Sequence, residues 1–175
     1  MKAAYADPPY LGCCVLYGHD HRDGCWDSIE AHRRLIQERL VTYDAWALSC
    51  SSTSLRDLLP LCPDDTRVAA WVKPFASFKP GVNPAYAWEP VLFHGARKRP
   101  RSEPTTRDWL AESITLRRGL TGAKPDAFAF WIFDLLGLDS TDSLADIFPG
   151  TGAITAAWQR RCGTHQHPTQ HTLSL

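Results

Sequence analysis

Net charge is missing from this chain. Its 19 basic and 19 acidic residues cancel, so no global field draws it to a polyanion or a membrane, and any such site has to be a local patch. No apolar run reaches the ~20 residues of a membrane span. No charged stretch leads into an apolar signal region at the start, so the expectation is a cytoplasmic protein that neither crosses nor binds a membrane. The six cysteines, at positions 13, 14, 25, 50, 62 and 162, form no CxxC pair; they read as buried small apolar residues or free thiols rather than a disulfide framework. There is no Walker Lys-Ser or Lys-Thr pair, which argues against a P-loop. Disorder is excluded from the other side, by 44% hydrophobic residues and seven tryptophans in 175 residues. That length suits one globular domain, expected over 1–161, with a polar tail at 162–175.

What is present begins with Asp7-Pro8-Pro9-Tyr10. The apolar run Ala3-Ala4-Tyr5-Ala6 fits a buried strand, and the two prolines then forbid both ladder donation and entry into a helix. The strand end therefore presents a carboxylate, carbonyls without competing amide hydrogens, and an aromatic ring. Asp7 and the Pro8 carbonyl can each accept a hydrogen from an exocyclic amine while the Tyr10 ring stacks on the heterocycle, leaving the nitrogen lone pair free to attack. The chemistry suggested is N-methylation.

The rest of the chain alternates strands and helices. Leu11 to Trp26 is expected to be a long loop closing over substrate. A capping box with Asp27 as N-cap and Glu30 three residues on opens an amphipathic helix over 28–41, with Ile29, Leu35, Ile36 and Leu40 on one side. Strands are expected at Tyr43–Ser49, Arg67–Lys73, Trp88–Gly95 and Ser143–Phe148. Helices are expected through Leu59 from a Ser51-Ser52-Thr53 cap, at Asp108–Leu116, from Pro125 to a Gly137 C-cap, and at Thr151–Arg161. Pro74–Tyr86 shows no periodicity and reads as a second long loop. The pattern implies an open, mostly parallel α/β sheet with helices on both faces. In such a sheet ligands bind beyond the strand carboxyl ends, where chain order reverses.

Arg97, Lys98, Arg99 and Arg101, with Arg107 and Arg117-Arg118, form a local basic concentration and are candidates for nucleic-acid contact through phosphates. The His19–Cys25 segment and the group Cys162, His165, His167 and His171 read better as a solvated loop and a polar tail than as metal sites.

Together with Gly122-Ala123-Lys124-Pro125 and Asp146-Ile147-Phe148-Pro149-Gly150-Thr151-Gly152-Ala153, the Asp-Pro-Pro-Tyr tetrad resembles the permuted β-class amino-methyltransferases of nucleic acid. The likeness is to the compact branch that includes the eukaryotic mRNA adenosine methyltransferases. It implies a single Rossmann-like methyltransferase sheet, ending after the helix that follows the cofactor loop, and S-adenosylmethionine as cofactor. It implies that Asp7, Pro8, Pro9 and Tyr10 act on the acceptor, and that Ala6, Asp7, Lys124, Pro125, Asp146, Phe148, Pro149, Gly150, Thr151 and Gly152 hold the cofactor. The acceptor would be an exocyclic amine of a nucleobase, adenine N6 before cytosine N4, in DNA rather than RNA. The alternatives are a non-catalytic nucleic-acid-binding subunit and a small-molecule N-methyltransferase. Fuller members have a further strand ending in an acid that holds the ribose. Cys162–Leu175 contains no Asp or Glu, leaving Gln159, Gln166 or a partner chain for that role. With no target-recognition domain, a homodimer or partner subunit is expected. Trp71-Val72-Lys73 and Trp88-Glu89-Pro90-Val91 match the branch only loosely, so Lys73 and Glu89 receive no catalytic role.

Overall fold

The computed structural model describes residues 1–13, 26–74, 81–114 and 124–163. Most of the expected loop after Tyr10, the His19–Cys25 segment, part of the Pro74–Tyr86 loop, Arg117-Arg118, Gly119, Gly122 and the histidine-bearing tail with Gln166 lie outside the described residues. The strands are β1 Lys2–Ala6, β2 Ala45–Ser49, β3 Arg67–Val72, β4 Trp88–His94, β5 Trp109–Ala111 and β6 Ser143–Asp146. The helices are α1 Ile29–Arg34, α2 Leu55–Leu58, α3 Asp126–Leu136 and α4 Ala153–Arg161. They build one six-stranded sheet in the order β5-β3-β4-β2-β1-β6.

β6, β1 and β2 are mutually parallel, as are β3 and β5, while β4 runs antiparallel to both β2 and β3. The sheet is thus mostly parallel, as its pattern implied. Side chains alternate between two cores, as a strand period of two requires. Ala3 and Tyr5 of β1, Ala45 and Ala47 of β2, and Ala69 and Trp71 of β3 face α3 and α4. Ala4, Ala6, Trp46 and Leu48 face Leu35, Ile36, Leu40 and Leu58 on the other side. Small residues on β1 and β2 let the α3 aromatics approach closely. Phe128 meets Tyr5 edge-on with ring centroids 6.0 Å apart and Trp71 at 4.9 Å. Truncating so buried a phenylalanine costs ~3–5 kcal/mol, much of the ~5–15 kcal/mol that holds a domain folded.

Several expectations are corrected. The expected helix at Asp108–Leu116 holds strand β5 instead: Trp109–Ala111 pairs with Ala70–Val72, and the Trp71 indole donates to the Glu112 carbonyl at 2.8 Å. Tertiary pairing overrides local pattern there. The N-cap of α1 is Ser28, whose hydroxyl accepts from Glu30 N at 3.2 Å, and not Asp27. The helix also does not run uniformly to 41: after Arg34 it widens into a π turn at Leu35–Arg39 and tightens to a 3-10 turn at Leu40–Thr42. Ser54 holds the N-cap position of α2 without a side-chain capping bond, and the Ser51 hydroxyl accepts from the Ser54 amide at 3.2 Å. Pro125 is the N-cap of α3, with extended ψ, so Asp126 is the first helical residue. Gly137 ends α3 at φ +70°, where a Cβ would stand 2.9 Å from the Arg97 Cβ.

β4 also corrects the picture of strands joined by crossovers. No described helix joins it to β3, and it returns antiparallel. Pro90 sits within it at no cost to the ladder, because it lies one residue beyond the Ser49↔Val91 pair that ends β2. Its carbonyl still accepts from Cys50 N at 3.1 Å.

Candidate active site

The parallel pairing of β1 with both β2 and β6 brings three strand carboxyl ends to one edge, and the reversal of β4 brings its amino end there too. Just past β1 stand Asp7, Pro8, Pro9 and Tyr10; just past β3 stands Lys73; second in β4 is Glu89; two residues before α3 is Lys124. Their side chains meet. The Tyr10 hydroxyl donates to Glu89 Oε2 at 2.9 Å and lies 3.3 Å from Asp7 Oδ1. Lys124 Nζ is 3.2 Å from Asp7 Oδ2 and 3.3 Å from Glu89 Oε2. Lys73 donates to Glu89 Oε1.

Two cations and two carboxylates thus neutralise one another beneath the Tyr10 ring. The Lys124 side chain is only 8% exposed, and its ammonium lies 5.2 Å from the Trp71 ring centroid and 5.6 Å from that of Phe128. Burial opposes its charge, but Asp7, Tyr5 and Glu89 outweigh burial and raise its pKa. Burial likewise works against the Glu89 carboxylate, yet Lys124 and Lys73 hold its pKa below the ordinary value. Tyr10 is pushed well up, by burial first and then by Asp7 and Glu89, so its phenol stays protonated and donates. Each ionised side chain of this polar floor thus has a partner of opposite charge.

The neighbouring strand supplies the second half of the edge. Asp146 closes β6 opposite Tyr5, and Ile147 N continues the ladder to Tyr5 O at 2.9 Å. Phe148, Pro149, Gly150, Thr151 and Gly152 then turn the chain into α4. Gly150 and Gly152 take φ of +46° and +74°, a region open to glycine at little cost. Beyond its chain neighbours, no atom of the described residues lies within 4 Å of where a Gly152 Cβ would sit, so conformation rather than crowding selects the residue. Phe148 packs edge-on against Trp26 at 5.0 Å, and Trp26 in turn against His32 at 5.4 Å. Asp146 Oδ2 accepts from the Thr155 hydroxyl at 3.1 Å, while its buried Oδ1 has no hydrogen-bond partner among the described residues. Burial raises the Asp146 pKa, and Asp7 adds to the rise: the two carboxylates from opposite ends of the sequence feel each other's field.

The sequence-derived residues divide by edge. Ala6, Asp7, Pro8, Pro9, Tyr10, Lys124, Pro125, Asp146 and the Phe148–Gly152 turn come together. Lys124, grouped from sequence with the cofactor residues, stands against Asp7 and Tyr10. Arg97, Lys98, Arg99 and Arg101 follow the carboxyl end of the antiparallel β4 and so stand at the opposite edge. There Arg97 binds Asp139, Asp142 at 2.7 Å and the Gly137 carbonyl at 3.1 Å. Arg99 reaches Glu103 at 3.3 Å and Asp134 at 3.9 Å. A cavity of about 550 Å³, lined by Arg67, His94, Lys98 and Arg101 among others, opens at that far edge. Among the described residues no three His, Cys, Asp or Glu side chains group as a metal site, and no helix is long and apolar enough to cross a membrane.

Sequence reasoning missed Glu89 and Lys73. A signal for both was present. A proline-rich loop without helical period cannot serve as a crossover, so β4 has to return antiparallel, which places its first residues beside the last of β3.

No family model matches the sequence, and no curated protein matches it. Solved structures do match the fold. M1.HpyAVI in complex with SAM superposes with a TM-score of 0.60 at 18% sequence identity, covering 91% of this chain and 78% of the other. A second structure of M1.HpyAVI gives a TM-score of 0.57 at 18% identity, over 91% and 76% of the two chains. Six strands, the antiparallel β4 and the helices on both faces thus give this chain the fold of M1.HpyAVI.

Proposed function

We propose that the chain transfers a methyl group from S-adenosylmethionine to an exocyclic amine of a nucleobase, adenine N6 ahead of cytosine N4, with DNA as the acceptor. The observation that carries the reading is the meeting of Asp7 and Tyr10 with the Asp146–Gly152 turn at one sheet edge, in a fold that in M1.HpyAVI has been solved with SAM.

The residues of the turn suit the donor. The buried Asp146 Oδ1, without a partner among the described residues, can accept an N–H or O–H group. The start of α4 has no acidic residue in its first turn, so its free amide hydrogens can face a carboxylate. Asp146, Phe148, Gly150 and Gly152 would therefore hold the amino-acid end of the cofactor. When bound, S-adenosylmethionine supplies a methyl group on a positively charged sulfur.

The chain's own residues handle the acceptor. Tyr10 offers its ring as a stacking surface and is fixed by the Glu89 carboxylate at 2.9 Å. Asp7 accepts one amine hydrogen and the Pro8 carbonyl the other, which orients the nitrogen lone pair toward the β6 side. Lys124 occupies Asp7 Oδ2 until the amine arrives, and keeps Glu89 ionised afterwards. Orientation supplies most of the rate, since no neighbouring group is basic enough to deprotonate an aryl amine beforehand. The proton leaves once the nitrogen has become cationic, with Asp7 as its first acceptor. An intact acid–lysine–tyrosine floor supports an enzyme over a scaffold subunit.

Calorimetry with S-adenosylmethionine, followed by transfer of a tritiated methyl group to DNA, RNA and free nucleosides, tests the reading. It predicts cofactor binding and label in DNA at an exocyclic amine; no cofactor binding, or label in none of the acceptors, defeats it.

A further inference from the structure

The face of the sheet that carries α1 and α2 is covered unevenly. Their core takes in Ala4, Ala6, Trp46, Leu48 and Leu92, but no residue of β3 or β5 enters it. Register places Val68, Ala70 and Val72 of β3 and Trp109 and Ala111 of β5 on that outer part, beside Trp88 of β4. Trp109 is 46% exposed, Trp88 39%, and Tyr86, just ahead of β4, 60%. Large aromatic rings left open together mark a binding surface more often than a solvated one.

The chemistry of the surface selects its occupant. Val68, Ala70, Val72, Trp88 and Trp109 are uncharged, and Asp108 and Glu112 alternate with Trp109 and Ala111, so they fall on the opposite side. The charge that joins the rings is positive: the Arg107 guanidinium lies 5.4 Å from the Trp109 ring centroid. Flat rings two strands apart, about 10 Å across the sheet, with a cation stacked on one of them, match a string of unpaired bases and their phosphates. A duplex would leave the rings idle, because its base faces are already stacked. The surface reaches the same end of the sheet as the acceptor cluster: Trp88 and Glu89 are consecutive at the start of β4, Trp88 on the α1–α2 face and Glu89, which holds the Tyr10 hydroxyl, on the other.

We propose that Trp88, Trp109 and Arg107 form a stacking platform for single-stranded nucleic acid, guiding the strand whose base enters at Tyr10. The proposal rests on the nucleobase reading above only for the direction of that strand.

Fluorescence anisotropy of the full chain with one labelled sequence, presented as single-stranded DNA, as single-stranded RNA and as duplex DNA, tests it. Either single strand is expected to bind more tightly than the duplex. Trp88→Ala and Trp109→Ala are each expected to weaken single-strand binding about fivefold or more, with Trp109→Phe recovering most of the loss and Arg107→Glu losing a similar factor. Near-ultraviolet circular dichroism checks that the variants keep the fold. Transfer to a free nucleoside is read separately and should stay at the wild-type level in all four variants. If the wild type shows binding but no transfer, the methylation reading fails and the platform stands. Equal affinity for single strand and duplex overturns the platform, as do alanine variants that bind like wild type. A wild-type dimer that Trp109→Ala splits would also overturn it by assigning the face to a second copy.

Discussion

Tyr5 of β1 and Asp146 of β6 stand opposite one another in a parallel pair, although they come from the two ends of the sequence. That pairing fixes how Asp7, two residues past Tyr5, relates to the glycine turn that begins two residues past Asp146. Both follow their strands in the same direction, so both emerge at the same edge. Any chemistry linking the Asp-Pro-Pro-Tyr segment to the turn depends on this register, and a one-residue slip would turn every side chain of β1 to the other core.

Asp7 is the first residue to test. Asp7→Asn keeps the shape but loses the charge that attracts both the amine hydrogen and Lys124. Transfer is expected to fall about 100-fold or more, while affinity for S-adenosylmethionine falls far less. The measurement is single-turnover methyl transfer beside calorimetric cofactor binding. A variant that keeps wild-type turnover removes Asp7 from the reaction.

Tyr10 separates into a ring and a hydroxyl. Tyr10→Phe keeps the stacking surface and loses the 2.9 Å bond to Glu89; Tyr10→Ala loses both. The phenylalanine variant is expected to lose at most about 100-fold in transfer, since one hydrogen bond to a charged group contributes ~1.5–3 kcal/mol at most. The alanine variant should lose substantially more, chiefly through a higher KM. Equal loss in the two would assign the effect to the hydroxyl alone.

These two residues were legible in the sequence because proline dictates where β1 stops and what it then displays. The glycine turn was legible for a similar reason, since Gly150 and Gly152 mark positive φ. Glu89 was not. Its role depends on β4 running antiparallel, a fact held in the lack of a helical connection and in the Trp71↔Glu89 register. β5 was misread as a helix because Trp109–Ala111 is too short to show a period, and its identity comes from pairing with Ala70–Val72. The basic segment was visible as composition, but its edge follows from strand direction, which composition does not carry.

Glu89 links the cluster to pH. Its folded pKa is held below the ordinary carboxylate range, burial being outweighed by Lys124 and then Lys73. A depressed carboxylate stabilises the fold above its unfolded pKa and loses that contribution as pH falls through the folded value. Thermal stability should therefore decline below about pH 4.5 in the wild type. Glu89→Gln should be less stable near neutrality, by about 1–3 kcal/mol, and should show a flatter acid limb. Parallel acid limbs would mean that the Glu89 charge is not what holds the floor.

Asp146 is expected to behave in the opposite sense. Burial raises its folded pKa, so the carboxylate costs stability as pH rises past that value. Asp146→Asn removes the charge and can still accept from Thr155 through its amide oxygen. Its melting temperature should exceed that of the wild type at neutral pH, with the difference vanishing in acid. Cofactor affinity should nonetheless drop about tenfold or more, because a charged acceptor has been exchanged for a neutral amide. A variant that is both more stable and equally good at binding would deny Asp146 any part in holding the cofactor.

The far edge gives the last contrast, between residues that share a sign and differ in partners. Arg97 is occupied by Asp139, Asp142 and the Gly137 carbonyl, and the Asp142 side chain is only 1% exposed. Arg97→Ala removes one partner of a buried carboxylate that keeps the Met1 ammonium at 2.5 Å and the Asp139 amide at 2.9 Å, so it should lower the melting temperature modestly without altering polynucleotide binding. Lys98 and Arg101 have no carboxylate partner among the described residues, so their charge remains available to phosphates. Reversing both should reduce the slope of log affinity against log salt for duplex DNA by about 2 and leave the melting temperature unchanged. Transfer to a free nucleoside should also be unaffected, since Asp7 lies at the other end of the strands. If the slope does not move, the segment is a solvated loop whose positive charge Glu103, Asp134, Asp139 and Asp142 have already answered.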